Sequence, residues 1–562
     1  MRFLPKISSQ KTKDQSIVRP VLGIDKTEGF KEGSLLTSQN ICFSAYPSVV
    51  AGNKKTTPKH SFDESLSYIK TDEGILGYKS ADENTDFCFL YETNSESASV
   101  NMTGAFIYGA KVEAESLGGK VVIFPHKLMF EKQGTEENYS YTAKGEMEKS
   151  YFLDGYGAGT KFAVTPNSII TTEKELWQTL KNTFSEGDVL TIKGEYKDTL
   201  DDGKRKDIDL KAVLREFKEE ITLSVPEVIT YSLRFDGNTF PVDAGQSFQI
   251  MKIEIKKIVP DLMNLSVFAS RVWGCDKSGK IYASKYKDPT NFEYFNLTSA
   301  DSFTLETDTQ GEFSASFSFG DHLLFFKEDK IHRITGNLPS NFRHTVITTN
   351  GVKCGAEKTL AVKDSVVYYV GTDGVYAFAG GEAVKISTPI GDINFEDGYA
   401  FFYKDVYYLT VKNSKGEELY GYDTKKRMWF KDGSLGYNSA FKYLGEEIVK
   451  TTDGKLFALT QGVDESRDMV LTLREFTDFY PNAKGTYKLF VLASLSGGKL
   501  KVEADFGFGF ETVGIFSNSR QSMFEIPLKP NRGEKISLRL TLSPKSVLRG
   551  IVKRQFYHGI HK

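Results

Sequence analysis

The chain has 562 residues, 40% of them hydrophobic, 26% charged and 13% aromatic, enough apolar content for one large core or several ordinary ones, which excludes wholesale disorder. Its 72 Lys and Arg balance 74 Asp and Glu, so no long-range field favours tight duplex binding. No stretch approaches the roughly 18 apolar residues of a membrane span, and the opening Met1-Arg-Phe-Leu-Pro-Lys has no secretory apolar segment, so synthesis and initial folding are expected in the cytoplasm.

The aromatic load is 42 Phe and 28 Tyr against 3 Trp, which suits pleated, half-buried strands better than helices. The four cysteines, Cys42, Cys88, Cys275 and Cys354, stand far apart without a CxxC, so they read as reduced, partly buried thiols and signal neither a zinc site nor a disulfide framework.

In chain order, residues 1–60 have weak periodicity and many Lys, Ser and Thr, and read as an extended amino-terminal arm. Residues 61–140 hold two hairpins, Ser67–Lys70 with Ile75–Tyr78 and Lys120–Phe124 with Leu128–Phe130, taken as the first blades of a β-propeller. The rhythm breaks over 141–260, read as an inserted α+β domain with two helical signals. One is the capping-box spacing Thr172–Glu175 leading into Leu176, Trp177, Leu180 and Phe184. The other is 210–217, where Leu210, Val213, Leu214 and Phe217 share a face at helical spacing.

From 261 to 464 the hairpins return: Val272–Cys275 with Ile281–Ala283, Leu323–Phe326 with Ile331–Ile334, Val366–Val370 with Val375–Phe378, Val406–Val411 with Leu419–Tyr422, and Ile448–Thr451 with Lys455–Phe457. The steps from Leu323 to Val366, Val406 and Ile448 are 43, 40 and 42 residues, the length of one four-stranded propeller blade. Ser278-Gly279, Asp373-Gly374 and Asp453-Gly454 are expected to supply the positive φ of tight turns. Short alternating strands over 465–562 read as a β-sandwich-like domain. The expected fold is therefore mainly β: a propeller of six or seven blades with an inserted α+β domain and a carboxy-terminal sandwich.

Candidate chemistry is sparse. There is no HExxH, Walker loop or Gly-rich dinucleotide turn, and the seven histidines are scattered. Asp321-His322 sits at a strand entry, and His332 alternates within a strand and is expected to face solvent or a neighbouring blade. Glu328-Asp329 and Asp72-Glu73 read as solvated turns, and Asp373-Gly374 and Asp453-Gly454 as turn geometry, lacking the spaced oxygen ligands of a calcium loop. The basic clusters Lys54-Lys55, Lys204–Lys206, Lys425–Arg427 and Lys553-Arg554 are each too short for a nucleic-acid stripe. No catalytic, cofactor-binding or metal-ligating residue is assigned.

Several segments together resemble a phage and prophage structural family, the "stabilisation proteins", similar in kind to the tail-nozzle and packaged-DNA stabilisation proteins of short-tailed phages. They are Arg271-Val-Trp-Gly-Cys275 with Ile281–Ser284 and Asp288-Pro-Thr-Asn-Phe292; Leu324–Asp329 with Ile331-His332, Gly336-Asn337, Pro339–Phe342, Gly351-Val-Lys353 and Glu357-Lys358; and Asp373–Tyr376 and Tyr422–Lys425 with Met428-Trp429. The likeness is good from about 263 to 462 and patchy elsewhere.

The resemblance implies a virion structural protein at the tail or head-to-tail connector, with no enzyme activity and no cofactor. It implies a homo-oligomeric ring of six or twelve copies that continues the DNA channel and helps retain and then release the genome. Its partners would be further copies of itself, portal, adaptor or other tail proteins, and DNA in transient, non-specific contact, with no membrane-spanning segment. Two other readings stand beside it: a receptor- or carbohydrate-binding tail protein built on a propeller, and a propeller glycosidase with two carboxylates about 5 to 10 Å apart.

Overall fold

A computed structural model describes residues 15–556, apart from 82–83, 93–96, 106–110, 136–137, 155–161, 198–204, 223–227, 238–239, 241–247, 434, 478–485, 518–519 and 529–534. The chain is mainly β and of propeller type, with one α-helix among the described residues. It divides into two compact units, Leu66–Thr348 and Met1–Ser65 with Thr349–Lys562.

The unit Leu66–Thr348 contains four four-stranded antiparallel blade sheets, spanning 67–105, 113–146, 263–305 and 315–348. Aromatic and β-branched residues alternate into the faces between them: Phe87, Phe89, Val121, Ile123 and Phe130 pack together in one core, and Trp273, Cys275, Ile281, Leu323 and Phe325 in another. The blades 263–305 and 315–348 meet at their first strands, where the Ser266 and Ser316 hydroxyls lie 2.8 Å apart.

Between the second and third of these blades lies the insertion. Its strands pair in the circle 162–165, 168–171, 228–235, 205–222, 189–197 and 248–257, and the last returns to the first. Strand 149–154 lies beyond 162–165 on the same edge of 248–257. The insertion is thus a closed antiparallel barrel, which leaves its core strands no free edge. The helix Lys174–Thr183 packs Trp177 and Leu180 into this barrel, with Phe184 buried just after its end. The expected capping box does not form: the helix starts after Glu173 without a side-chain cap, and the Thr171 hydroxyl accepts the Glu173 N–H instead.

The second expected helix is a correction. Residues 210–217 lie within the strand Arg205–Thr222. Ile208, Leu210, Ala212 and Leu214 point inward at period two, and a bulge between Leu214 and Glu216 switches the parity so that Phe217 also packs inward. That switch mimics helical spacing in the sequence.

The other unit contains three blade sheets, spanning 361–385, 397–433 and 437–463, and two further sheets that form the sandwich. The amino-terminal segment, expected as an extended arm, is instead woven into this unit. Strand Gln15–Arg19 pairs with Val547–Phe556, Leu35–Gln39 with Met469–Leu473, and Asn53–Thr56 completes the blade beside Leu456–Val463. The physical reason is that each segment, as the outermost strand of its sheet, pairs its backbone N–H and C=O groups with a strand far along the chain, which no local sequence signal announces.

Two of the three expected glycine turns have positive φ, at Gly279 and Gly454. Gly374 does not; a Cβ there would collide with the Ser387 hydroxyl, so close approach is what demands glycine.

Candidate functional site

The residues that carry the family resemblance act as joints. Arg271, wholly buried, donates from Nη1 to the carbonyls of Ser284 (2.7 Å) and Asp301 (2.6 Å) and from Nη2 to that of Ser299 (2.8 Å), pinning the loop after strand Ile281–Ala283. Within that loop Asp288 accepts from the Thr290 hydroxyl (2.7 Å) and pairs with Lys120 (3.1 Å). Asn291 donates to Asp188 Oδ1 at 2.6 Å and so ties the blade to the inserted barrel. Asp188 is saturated: its Oδ2 accepts from the Ser185 N–H (2.9 Å) and faces the buried Lys257 ammonium at 3.9 Å. Val189 N–H to Glu293 C=O, Phe295 N–H to Gly187 C=O and the Lys211–Glu293 pair complete the joint.

Trp273 and Trp429 are buried and donate to the carbonyls of Phe268 and Ile386. The Asn341 side chain accepts the N–H groups of Asn337 and Leu338, closing the Gly336–Phe342 turn.

The weighed candidates are scattered. His322 lies 3.0 Å from an exposed Asp321 at a turn, and Asp329 pairs with Lys330. Glu73 accepts from the Tyr141 hydroxyl at 2.6 Å. Asp373 accepts from Tyr376 and Lys385, and Asp453 from Thr451, which hold both carboxyls below their ordinary range. Lys425 pairs with Asp405, and the nearly inaccessible Lys553 with Glu32. Arg205 and Lys206 lie in a strand of the barrel, and Lys204 lies outside the described residues.

His332 is a correction. It does not face solvent but is wholly buried, with Nδ1 2.9 Å from His344 Nε2 and Nε2 2.9 Å from the Thr309 hydroxyl. Burial first, then the neighbouring His344, Lys327 and Lys330, pushes its pKa down to about 4. Phe313 caps the ring edge-on, so this position packs the blade.

Two clusters escaped sequence reasoning. At the inner strand of the second blade, burial and then the Asp72 and Glu113 charges push the Glu115 carboxyl up to about 8. Glu113 is occupied, accepting the Leu265 N–H and pairing with Lys111, and among the described residues no group of three or more acids, histidines and cysteines is set to hold a metal ion.

The second cluster lines a recess. A cavity of about 630 Å3 is lined by Lys54, Lys55, Leu435, Phe457, Val463 and Arg467 among others. Behind it, Asn40 is a wholly buried hub that donates to the Arg467 carbonyl (2.6 Å) and accepts the Gly52 N–H (3.2 Å). Arg467 grips Asp464 through Nε (3.1 Å) and Nη2 (3.0 Å). Burial opposes the Asp464 charge, but the Ser466 and Arg467 hydrogen bonds hold its carboxyl below the usual range. Asp432 differs: its Oδ1 is buried without a hydrogen bond, 3.8 Å from Arg467, and burial pushes its pKa up. The Lys55 ammonium lies over the rings of Tyr437 (5.0 Å) and Phe457 (6.0 Å), and burial lowers its pKa. Of this group only Lys54-Lys55 stood out in the sequence; Asn40 and Arg467 lie 427 positions apart, beyond any local signal. A recess with the apolar wall Leu435, Phe457 and Val463 and two lysines without an ion pair among the described residues fits an apolar, acidic protein segment better than a reaction centre.

No protein-family profile and no curated protein matches the chain. Among solved structures, an extracellular domain assigned to a one component system of B. thetaiotaomicron is similar at 9% identity, over 91% of this chain and 95% of that one, with a TM-score of 0.23. An uncharacterized protein from Listeria monocytogenes EGD-e shares 9% identity over 68% and 97% of the two chains, with a TM-score of 0.22. A quinonprotein alcohol dehydrogenase-like protein from Bacteroides thetaiotaomicron shares 10% identity over 73% and 85%, with a TM-score of 0.22. Likeness at this level carries no functional weight.

Proposed function

We propose that the chain is a structural subunit of a bacteriophage tail or head-to-tail junction. Copies associate into a homo-oligomeric ring that continues the DNA channel, helps retain the packaged genome and lets it leave on infection. One observation carries this reading: the residues on which the resemblance to stabilisation proteins rests, Arg271, Trp273, Asp288, Asn291 and Trp429, hold blades, loops and the inserted barrel together. A motif set with that use suits a part that must resist mechanical load.

The weaving of three amino-terminal strands into the carboxy-terminal half supports the same reading, because each ties distant parts of the chain together through a ladder of backbone hydrogen bonds. Closed rings need two different faces on each copy, and barrel and sandwich supply distinct ones. Electron microscopy of the purified full chain tests the proposal: closed rings of one symmetry are expected, and a field of single isolated particles at every concentration overturns it.

A further inference from the structure

The inserted barrel extends an arm. Strand Arg205–Thr222 has 18 residues, about 60 Å of chain at roughly 3.3 Å per residue. Its first half pairs with 189–197 and its second half with 228–235, while strand 168–171 covers only 231–234. Among the described residues, the last rungs, Glu220 with Thr230, Ile221 with Ile229 and Thr222 with Val228, therefore stand as a two-stranded ribbon. A bare two-stranded ribbon is marginal in water. This one also exposes Ile221 (59%), Val228 (40%) and Ile229 (39%). Beside them are the exposed carboxylates Glu216 and Glu219, which have no ion pair among the described residues, whereas Glu220 is held by Lys218 and Arg234.

The recess beside Phe457 has the opposite character. Its walls are Leu435, Phe457 and Val463, and Lys54 and Lys55 have no carboxylate at ion-pair distance among the described residues. Its other charges are already matched, Arg467 by Asp464 and Glu465 by Lys545.

We propose that the ribbon tip of one copy docks in the Lys54–Lys55–Phe457 recess of a second copy, with Ile221 and Ile229 against the apolar wall and Glu219 answering the two lysines. The contact joins unlike surfaces and so is heterologous, the kind that closes rings. It rests on the ring reading and specifies which surfaces meet. Burying the tip removes exposed aliphatic area, and the charge match sets register and partner choice.

Sedimentation velocity of the full chain over a concentration series tests this with three variants: Ile221→Asp, the double variant Lys54→Glu with Lys55→Glu, and that double variant carrying Glu219→Lys as well. All altered side chains are exposed or half-buried, and an unchanged thermal midpoint certifies the fold of each. The first two are expected to weaken association about tenfold or more, and the third to recover most of it. Association indifferent to both Ile221→Asp and the lysine reversal overturns the docking contact while leaving the ring intact. A wild-type chain that stays monomeric throughout overturns both.

Discussion

The inserted barrel and the carboxy-terminal sandwich each meet blade strands beside a buried aspartate, and the two aspartates are treated differently. Asp188 accepts from Asn291 and Ser185 and faces Lys257. Asp432 leaves Oδ1 without a hydrogen bond, near an Arg467 already committed to Asp464, and it lies behind an open recess rather than within a filled seam. A saturated buried charge fixes one arrangement, whereas an unsaturated one costs stability and marks a place built for something besides stability.

Removing the saturated group should have the largest effect. Asp188→Ala leaves Lys257, only 7% exposed, without its counter-ion, and is expected to cost about 3–5 kcal/mol in denaturant unfolding; a loss under about 1 kcal/mol would remove the distinction between the joints. Next comes the loop that presents Asn291. Arg271→Met keeps the volume but strips the donors from the Ser284, Ser299 and Asp301 carbonyls, and about 2–3 kcal/mol should be lost, with faster amide exchange over 285–301.

Glu115 extends the comparison to a second acid whose pKa burial raises. The folded chain holds its proton until about pH 8, while the unfolded chain releases it near the ordinary value, so stability falls as pH rises from about 4.5 to 8 and then levels off. Glu115→Gln should flatten that decline and gain on the order of 2 kcal/mol above pH 8; an unchanged pH profile would contradict the burial. Smallest is Asp432→Asn. Because burial raises the folded pKa of Asp432, its charge destabilises the fold above the ordinary carboxylate range, and the amide should be neutral or stabilising by up to about 1 kcal/mol at pH 7. A loss as large as that of Asp188→Ala would make the two joints equivalent.

What the sequence disclosed follows the range over which each signal acts. Every expected hairpin, from Ser67–Tyr78 to Ile448–Phe457, is present because strand alternation and turn residues are local. The helix at 174–183 was legible for the same reason, although its cap was not. The bulge at Leu214–Glu216 disguised a strand as a helix. The three amino-terminal strands were illegible because their partners lie about 400 or more residues away, and so was the Asn40, Asp432, Asp464 and Arg467 hub that depends on them.

Native mass spectrometry of the full chain tests the central claim most directly. The account predicts one dominant species at a fixed integer multiple of the chain mass, six or twelve by the family likeness, stable to dilution. A spectrum holding only the single chain, or an open-ended ladder of sizes with no closed member, would contradict it.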